Sequence, residues 1–316
     1  MAVEEQDRAP HVAGPRQLGA GEDVAIGTPP TTIPGRARSE RAARIAMYVV
    51  LVLLAALYFT PFIWSVLTSL KTVQEVAQGF DVVPDHPSLR AYREVWTNYD
   101  FVTYFKNSLI LAGSITVFNL FLCSLGGYAF ARLRFPGREV LFLLVLATLM
   151  IPDQLRLVPV FLMLIDFPVT HWNLISTYQG YIAINLVMAA NLFLMRQYFL
   201  TIPKDYEEAA KLDGAGYFKT YWRVMLPLSV PALSAVAILT FQGIWNEFFW
   251  ALIILGFDNP ALYTVQLGLT QFQFQYQTLW PELMAATTLA ILPVVVVFVV
   301  FQRYFIAGMT AAGVKG

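Results

Sequence analysis

Six long apolar runs, at 45–70, 109–130, 140–165, 174–195, 228–255 and 283–305, constrain this chain more than any other feature. About 20 helical residues at about 1.5 Å each cross a hydrocarbon core of about 30 Å, and every run is long enough. Backbone N–H and C=O groups find no water in that core. Each run is therefore expected as a helix, with irregular backbone only where protein or a water-filled cavity covers it. The 316 residues are 57% hydrophobic and 13% charged, too apolar for a soluble domain of ordinary composition. The expected fold class is an all-α membrane protein with six transmembrane helices.

Charge placement orients the spans. Arg36, Arg38, Arg41 and Arg44 precede the first run, Arg132, Arg134 and Arg138 separate the second and third, and Arg196, Lys204, Lys211, Lys219 and Arg223 separate the fourth and fifth. With Arg303 and Lys315 they fall on one side, which places both termini in the cytoplasm. Residues 1–40, rich in Gly, Pro, Ala and Arg, read as a disordered cytoplasmic tail ahead of a membrane domain over 41–316. The first apolar run starts too late and is too long for a cleaved signal peptide. Outer loops are expected at 71–106, partly helical, and at 256–281, and an inner loop at 201–227. Zero net charge gives no field that would attract nucleic acid, and Cys123 alone forms neither an intrachain disulfide nor a metal cluster.

The inner loop is polar between apolar neighbours. Asp205 and Glu208 have the spacing of a capping box, and Pro203 suits a first turn, so a helix is expected over 205–212. Ala209 and Ala210 keep one face slim for a partner surface, with the carboxylates of Glu207 and Glu208 beside it. Gly214, after Asp213, permits a positive φ that reverses the chain. A second short helix over 217–225 then leads to Leu226-Pro227 and the fifth run. Pattern alone also fits an amphipathic linker lying on the membrane surface. Residues 214–220 superficially suggest a phosphate loop, but Tyr217 and Phe218 interrupt the contiguous Gly-Lys-Ser/Thr that such a site needs, so ATP binding by this chain is not expected.

The spacing Glu208-Ala209-Ala210, three residues, Gly214, nine residues, Val224, one residue, Leu226-Pro227 resembles the cytoplasmic coupling loop of permease subunits of bacterial ABC importers. Residues 128–138 (YAFARLRFPGR), 245–248 (WNEF) and the chain end, 302–305 and 313–316, resemble the sugar-importing, maltose-type branch. The resemblance runs from about residue 45 to the end, with a longer tail than usual and Val224 where isoleucine is commonest. It implies the type I importer permease fold with a coupling helix, in the bacterial inner membrane. It also implies a second related permease, an ATPase dimer holding ATP and Mg, and an extracytoplasmic solute-binding protein. This chain would then be a non-catalytic subunit with no cofactor of its own, taking up a sugar or sugar-like solute by alternating access. Glu207, Glu208, Ala209, Ala210, Asp213, Gly214, Leu226 and Pro227 inherit the ATPase-coupling role.

Polar residues within the runs have two readings each. Gln242, Trp245, Asn246 and Glu247 line the pathway or an outer gate, or form a hydrogen-bonded packing cluster between helices. Asp153 and Arg156 read as a local ion pair beside Pro152, and Asn185 and Asn191 as interhelical hydrogen-bonding groups. The alternation Gln271-Phe272-Gln273-Phe274-Gln275-Tyr276 fits an extended loop with its aromatics packed on one side. The family resemblance instead gives it to binding-protein docking. An ion-coupled secondary transporter is the rival function, and would require buried acidic relays and repeated halves that the sequence does not clearly show. His11, His86 and His171 form no metal motif, which disfavours an enzyme.

Overall fold

The computed structural model describes residues 34–313 except 80, 169, 257–258 and 274–276, with backbone alone at 34–40 and 304–313. The chain divides into two units, 1–58 and 59–316. In order the helices are α1 (Pro34–Ser69), α2 (Val73–Gln78), α3 (Arg90–Asn98), α4 (Phe101–Arg132), α5 (Arg138–Thr148), α6 (Leu157–Ile165), α7 (Tyr178–Ile184), α8 (Ala189–Thr201), α9 (Asp205–Leu212), α10 (Tyr217–Thr220), α11 (Leu226–Leu228), α12 (Val230–Trp245), α13 (Phe249–Leu255), α14 (Val265–Leu269) and α15 (Trp280–Gly313). Among the described residues there is no strand, only an isolated bridge between Gln273 and Thr278. The all-α expectation holds. Helix α1 begins at Pro34, so the last residues of the expected tail are helical, and residues 1–33 lie outside the described residues.

In the second unit α4 is the central helix. Tyr104, Ser108, Leu111, Ile115, Asn119, Cys123, Gly127 and Ala131, three or four residues apart, are buried and form one stripe against α8 and α12. Lipid tails are as apolar as leucine, so such helices are held by close packing and by hydrogen bonds between them. Gly127 allows that approach: a Cβ there would stand 2.7 Å from Met195 Cβ and 2.9 Å from the Arg196 amide nitrogen. On the other flank of α12, α15 presents small buried residues, Ala286 and Ala290, and Trp245 Nε1 donates to Ala290 O at 2.9 Å.

Three of the expected continuous spans are broken. The run 140–165 splits at Leu149–Pro152 with a 99° bend, where Pro152 offers no amide to continue α5. The run 174–195 splits between α7 and α8 with a 47° bend and extends to Thr201. The run 228–255 is bent by 77° from α11 at Ser229 and interrupted again at Asn246–Phe248, because α12 ends at Trp245. Among the described residues three helices are long and apolar enough to cross unbroken, and up to six spans result if each bent pair is one. The stretch 71–106 is partly helical, as α2 and α3, and α4 already begins within it at Phe101; α2 starts on a capping box of Thr72 with Glu75. Thr72 N donates to Glu75 Oε2 at 2.7 Å and Glu75 N to Thr72 Oγ1 at 3.3 Å.

Candidate coupling loop and translocation cavity

Helix α9 has the expected bounds but a different start. Its N-cap is Lys204 without a side-chain cap, and Asp205 is the first helical residue, so the expected Asp205–Glu208 capping box does not form. Asp205, Glu207 and Glu208 instead place three carboxylates in the first turn, where the helix dipole favours negative charge. The end is as expected. Gly214 has φ +72°, its N–H donates to Lys211 O at 3.0 Å, and Ala215 N–H donates to Ala210 O at 2.9 Å. That pair of bonds is the Schellman motif, which turns the chain sharply into α10. The second helix then runs from α10 through a π-helical turn at Tyr221–Met225 into α11.

The loop's residues divide between two faces. Glu208, Ala209, Asp213, Gly214 and Pro227 are exposed, together with Tyr206, Tyr217, Phe218 and Trp222, and Leu212 is 90% exposed. Glu207 and Ala210 are buried and Leu226 is half-buried, so the expectation that both alanines and both glutamates present one partner-facing edge is corrected. The Glu207 side chain points inward to the C-terminal residue of α4, with Glu207 Oε1 3.2 Å from Arg132 Nε and the two side chains 11% and 4% exposed. Arg132 Nη2 also donates to Phe199 O at 2.6 Å and to Ile202 O, gripping the end of α8. Sequence reasoning counted Arg132 only as a topology charge. Its signal was its place at the end of a span with no acidic neighbour in sequence.

At their breaks, three spans meet around a cavity of about 680 Å³. Asp153 and Arg156 come from the first break, Asn185 and Met188 from the second, and Gly243 and Glu247 from the third. Asp153 and Arg156 form the expected ion pair. Glu247 Oε1 accepts from Trp250 N at 3.0 Å and so caps the first turn of α13. Of the four residues assigned to the path, only Glu247 lines this cavity. Trp245 is buried against α15, Gln242 faces a separate apolar groove with Ile238 and Val294, and Asn246 bonds Gln242 O at 3.0 Å and Gln266 Nε2 at 3.3 Å.

Backbone groups freed at the α7–α8 break are satisfied from α4. Asn119, fully buried, donates to Asn185 O at 2.8 Å, and its Oδ1 accepts from Met188 N at 3.1 Å and from Asn191 Nδ2 at 3.1 Å. Asn191 also reaches Thr240 Oγ1 on α12 at 2.8 Å, as an interhelical residue should. Asn185 does not, because its amide donates to Tyr181 O one turn away. Asn119 was not singled out from sequence. A buried Asn in an apolar run is its only trace there.

Of the presumed docking stretch, Phe272 is fully buried with its ring 4.5 Å from that of Tyr99, and Gln271 Nε2 donates to Tyr104 Oη at 2.9 Å. Both serve the core, which removes Phe272 from a docking surface. Gln273 is exposed, and Phe274, Gln275 and Tyr276 lie outside the described residues.

Apolar spans that break around a cavity carrying a few polar groups, with a charged, partly exposed helix–turn–helix between two of them, fit a solute-translocating membrane subunit. A family model described as the binding-protein-dependent transport system inner membrane component matches residues 123–311, and the chain belongs to that family. It is 35% identical over 277 residues to the arabinooligosaccharides transport system permease protein of Bacillus subtilis, covering 86% of this chain and 96% of that protein. It is 34% identical over 286 residues to the trehalose/maltose transport system permease protein of Thermococcus litoralis, covering 88% and 99%. A crystal structure of a bacterial ABC transporter involved in import of the acidic polysaccharide alginate matches with a TM-score of 0.73 at 27% identity, covering 85% of this chain and 98% of that one. The permease assignment therefore stands, and the ion-coupled rival is set aside.

Proposed function

We propose that this chain is one of two permease subunits of an ATP-driven importer that moves a sugar or sugar-like solute inward by alternating access. The observation that carries the reading is α9: a short helix closed by a positive-φ glycine, with Glu208, Ala209 and Leu212 exposed and its inner face tied to α4. An ATPase dimer, where ATP and Mg bind, docks on that exposed face, with the loop and both termini in the cytoplasm. The extracytoplasmic binding protein delivers solute at the opposite end, where α2, α3 and the segment 256–281 would lie.

ATP hydrolysis by the co-purified complex in nanodiscs tests this, with and without binding protein and candidate sugars, for wild type and Gly214→Asp. Sugar-dependent stimulation that the variant loses is the expected result. Failure of any ATPase subunit to co-purify with wild type would sink the proposal.

A further inference from the structure

The cavity at the three broken spans carries three charges, and they are not equivalent. Arg156 is engaged by Asp153. Glu247 has no cation within salt-bridge distance among the described residues, and only its Oε1 meets a protein donor, the Trp250 amide. Of the other polar donors of the wall, Thr148 Oγ1 donates to Val145 O at 2.6 Å and Asn185 Nδ2 to Tyr181 O at 2.9 Å. The Tyr181 hydroxyl is fully buried without a hydrogen-bond partner. The other lining residues, such as Leu149, Val160 and Ile244, are apolar.

Such a cavity has an open acceptor and a formal charge of −1, and its cation is paired with Asp153. A neutral saccharide supplies what it lacks: hydroxyl donors for the free carboxylate oxygen and C–H faces for the apolar wall. A saccharide bearing uronate carboxylates would bring a second anion to Glu247 with no free cation to balance it. We propose that Glu247 is a specificity-determining residue of the path, accepting hydroxyls of neutral saccharides and rejecting uronates. The proposal rests on the sugar-importer reading above.

The test is equilibrium binding of labelled probes to the complex of this chain with its sibling permease and ATPase in nanodiscs. The binding protein is left out, so that only the membrane path discriminates. Neutral probes are arabinotriose, maltotriose and diacetylchitobiose, and the anionic probe is a mannuronate trisaccharide. Wild type should retain at least one neutral probe and exclude the uronate. Glu247→Gln keeps an acceptor for the Trp250 amide but loses the charge. Neutral binding should weaken about tenfold, as a charged hydrogen bond becomes a neutral one, and uronate binding should rise by a similar factor, so selectivity falls roughly a hundredfold. Glu247→Asp should keep the wild-type ratio.

Asp153→Asn provides an independent arm should the Gln variant fail to assemble, since it frees Arg156 and should raise uronate binding about tenfold. An unchanged ratio in Glu247→Gln, or in Asp153→Asn where the first cannot be prepared, overturns the inference and leaves the importer reading intact. Preference of wild type for the uronate does the same. Uptake of neither class by wild type once the binding protein is restored overturns the importer reading and this inference together.

Discussion

Arg132 and Glu207 form a buried pair whose removal can be predicted in both size and order. At 3.2 Å, two unit charges in an effective dielectric of about 20 attract by about 5 kcal/mol, which offsets the desolvation of side chains 4% and 11% exposed. The contact is not aligned as a hydrogen bond, and neither Arg132 Nε nor Glu207 Oε1 has one elsewhere among the described residues, so charge alone joins them. Arg132→Gln strands the Glu207 carboxylate and also releases Phe199 O and Ile202 O at the end of α8. Its expected cost is about 3–5 kcal/mol. Glu207→Gln should cost less, because Arg132 keeps both carbonyls. The double variant should fall short of additivity by about 2–3 kcal/mol. Apparent melting of the purified complex in detergent should drop by about 6–12 °C for a 3 kcal/mol loss. Strict additivity across the double-mutant cycle, or a larger effect from Glu207→Gln than from Arg132→Gln, would refute the account.

At Gly214 a Cβ would touch nothing within 4 Å, so only the φ of +72° resists substitution. Gly214→Ala should destabilise the loop by about 1–2 kcal/mol and Gly214→Asn by less, read as protease sensitivity at 212–216; equal sensitivity of the two variants would show that φ does not govern the turn. Asn119→Leu strands Asn185 O and Met188 N at a span break and should cost about 2–4 kcal/mol of stability in detergent unfolding, where a loss under 1 kcal/mol would mean that water replaces the side chain. The Glu75 carboxylate, outside the spans, is held below its ordinary value near 4.5, chiefly by the Thr72 backbone N–H, against the opposing effect of burial and with a further bond from His86 N. Because the folded form has the depressed pKa, its contribution is present above about pH 4.5 and is lost as pH falls through the folded value. Hydrogen-exchange protection at residues 73–78 should fall with acidification in wild type and be insensitive to it in Glu75→Gln.

The elements that were legible in sequence are those whose physics is local. Apolar length marks a span wherever it sits, and Gly214 after Asp213 marks a helix end because few other residues tolerate the required φ. The breaks at 149–152, 185–188 and 246–248 were not legible. Pro152, Asn185 and Asn246-Glu247 interrupt the apolar runs, but such residues also occur in unbroken spans, and what permits an interruption is a hydrogen-bonding partner on another helix, such as Asn119, more than sixty residues away. The same holds for site roles. Glu207 and Glu208 are adjacent and identical in chemistry, and only the arrival of Arg132 from the end of α4 turns one inward and leaves the other exposed. For Trp245 the packing reading holds and the path reading does not, and what decides between them, the Ala290 O that accepts its indole N–H, lies on a different helix.

These distant partners share an element. Asn119 holds the α7–α8 break that lines the cavity, and Arg132, thirteen residues further along the same unbroken α4, holds α9 and the end of α8. Thirteen residues of α-helix span about 20 Å. The stripe of α4 between them is buried against α8 and α12, with Gly127 admitting the backbone of α8 too closely for any larger residue. A displacement of α9 cannot be absorbed by side-chain rearrangement at Arg132 without unpairing a buried charge. The lower-energy response is for α4 and α8 to move with it as a packed pair. The cavity wall formed by Asn185 and Met188 would then shift relative to Glu247 on the far side of the α12 break, which would change the cavity without melting any helix. The loop and the cavity are therefore two ends of one packed body, and Asn119→Leu should weaken the dependence of ATP hydrolysis on solute even though it touches neither α9 nor Glu247.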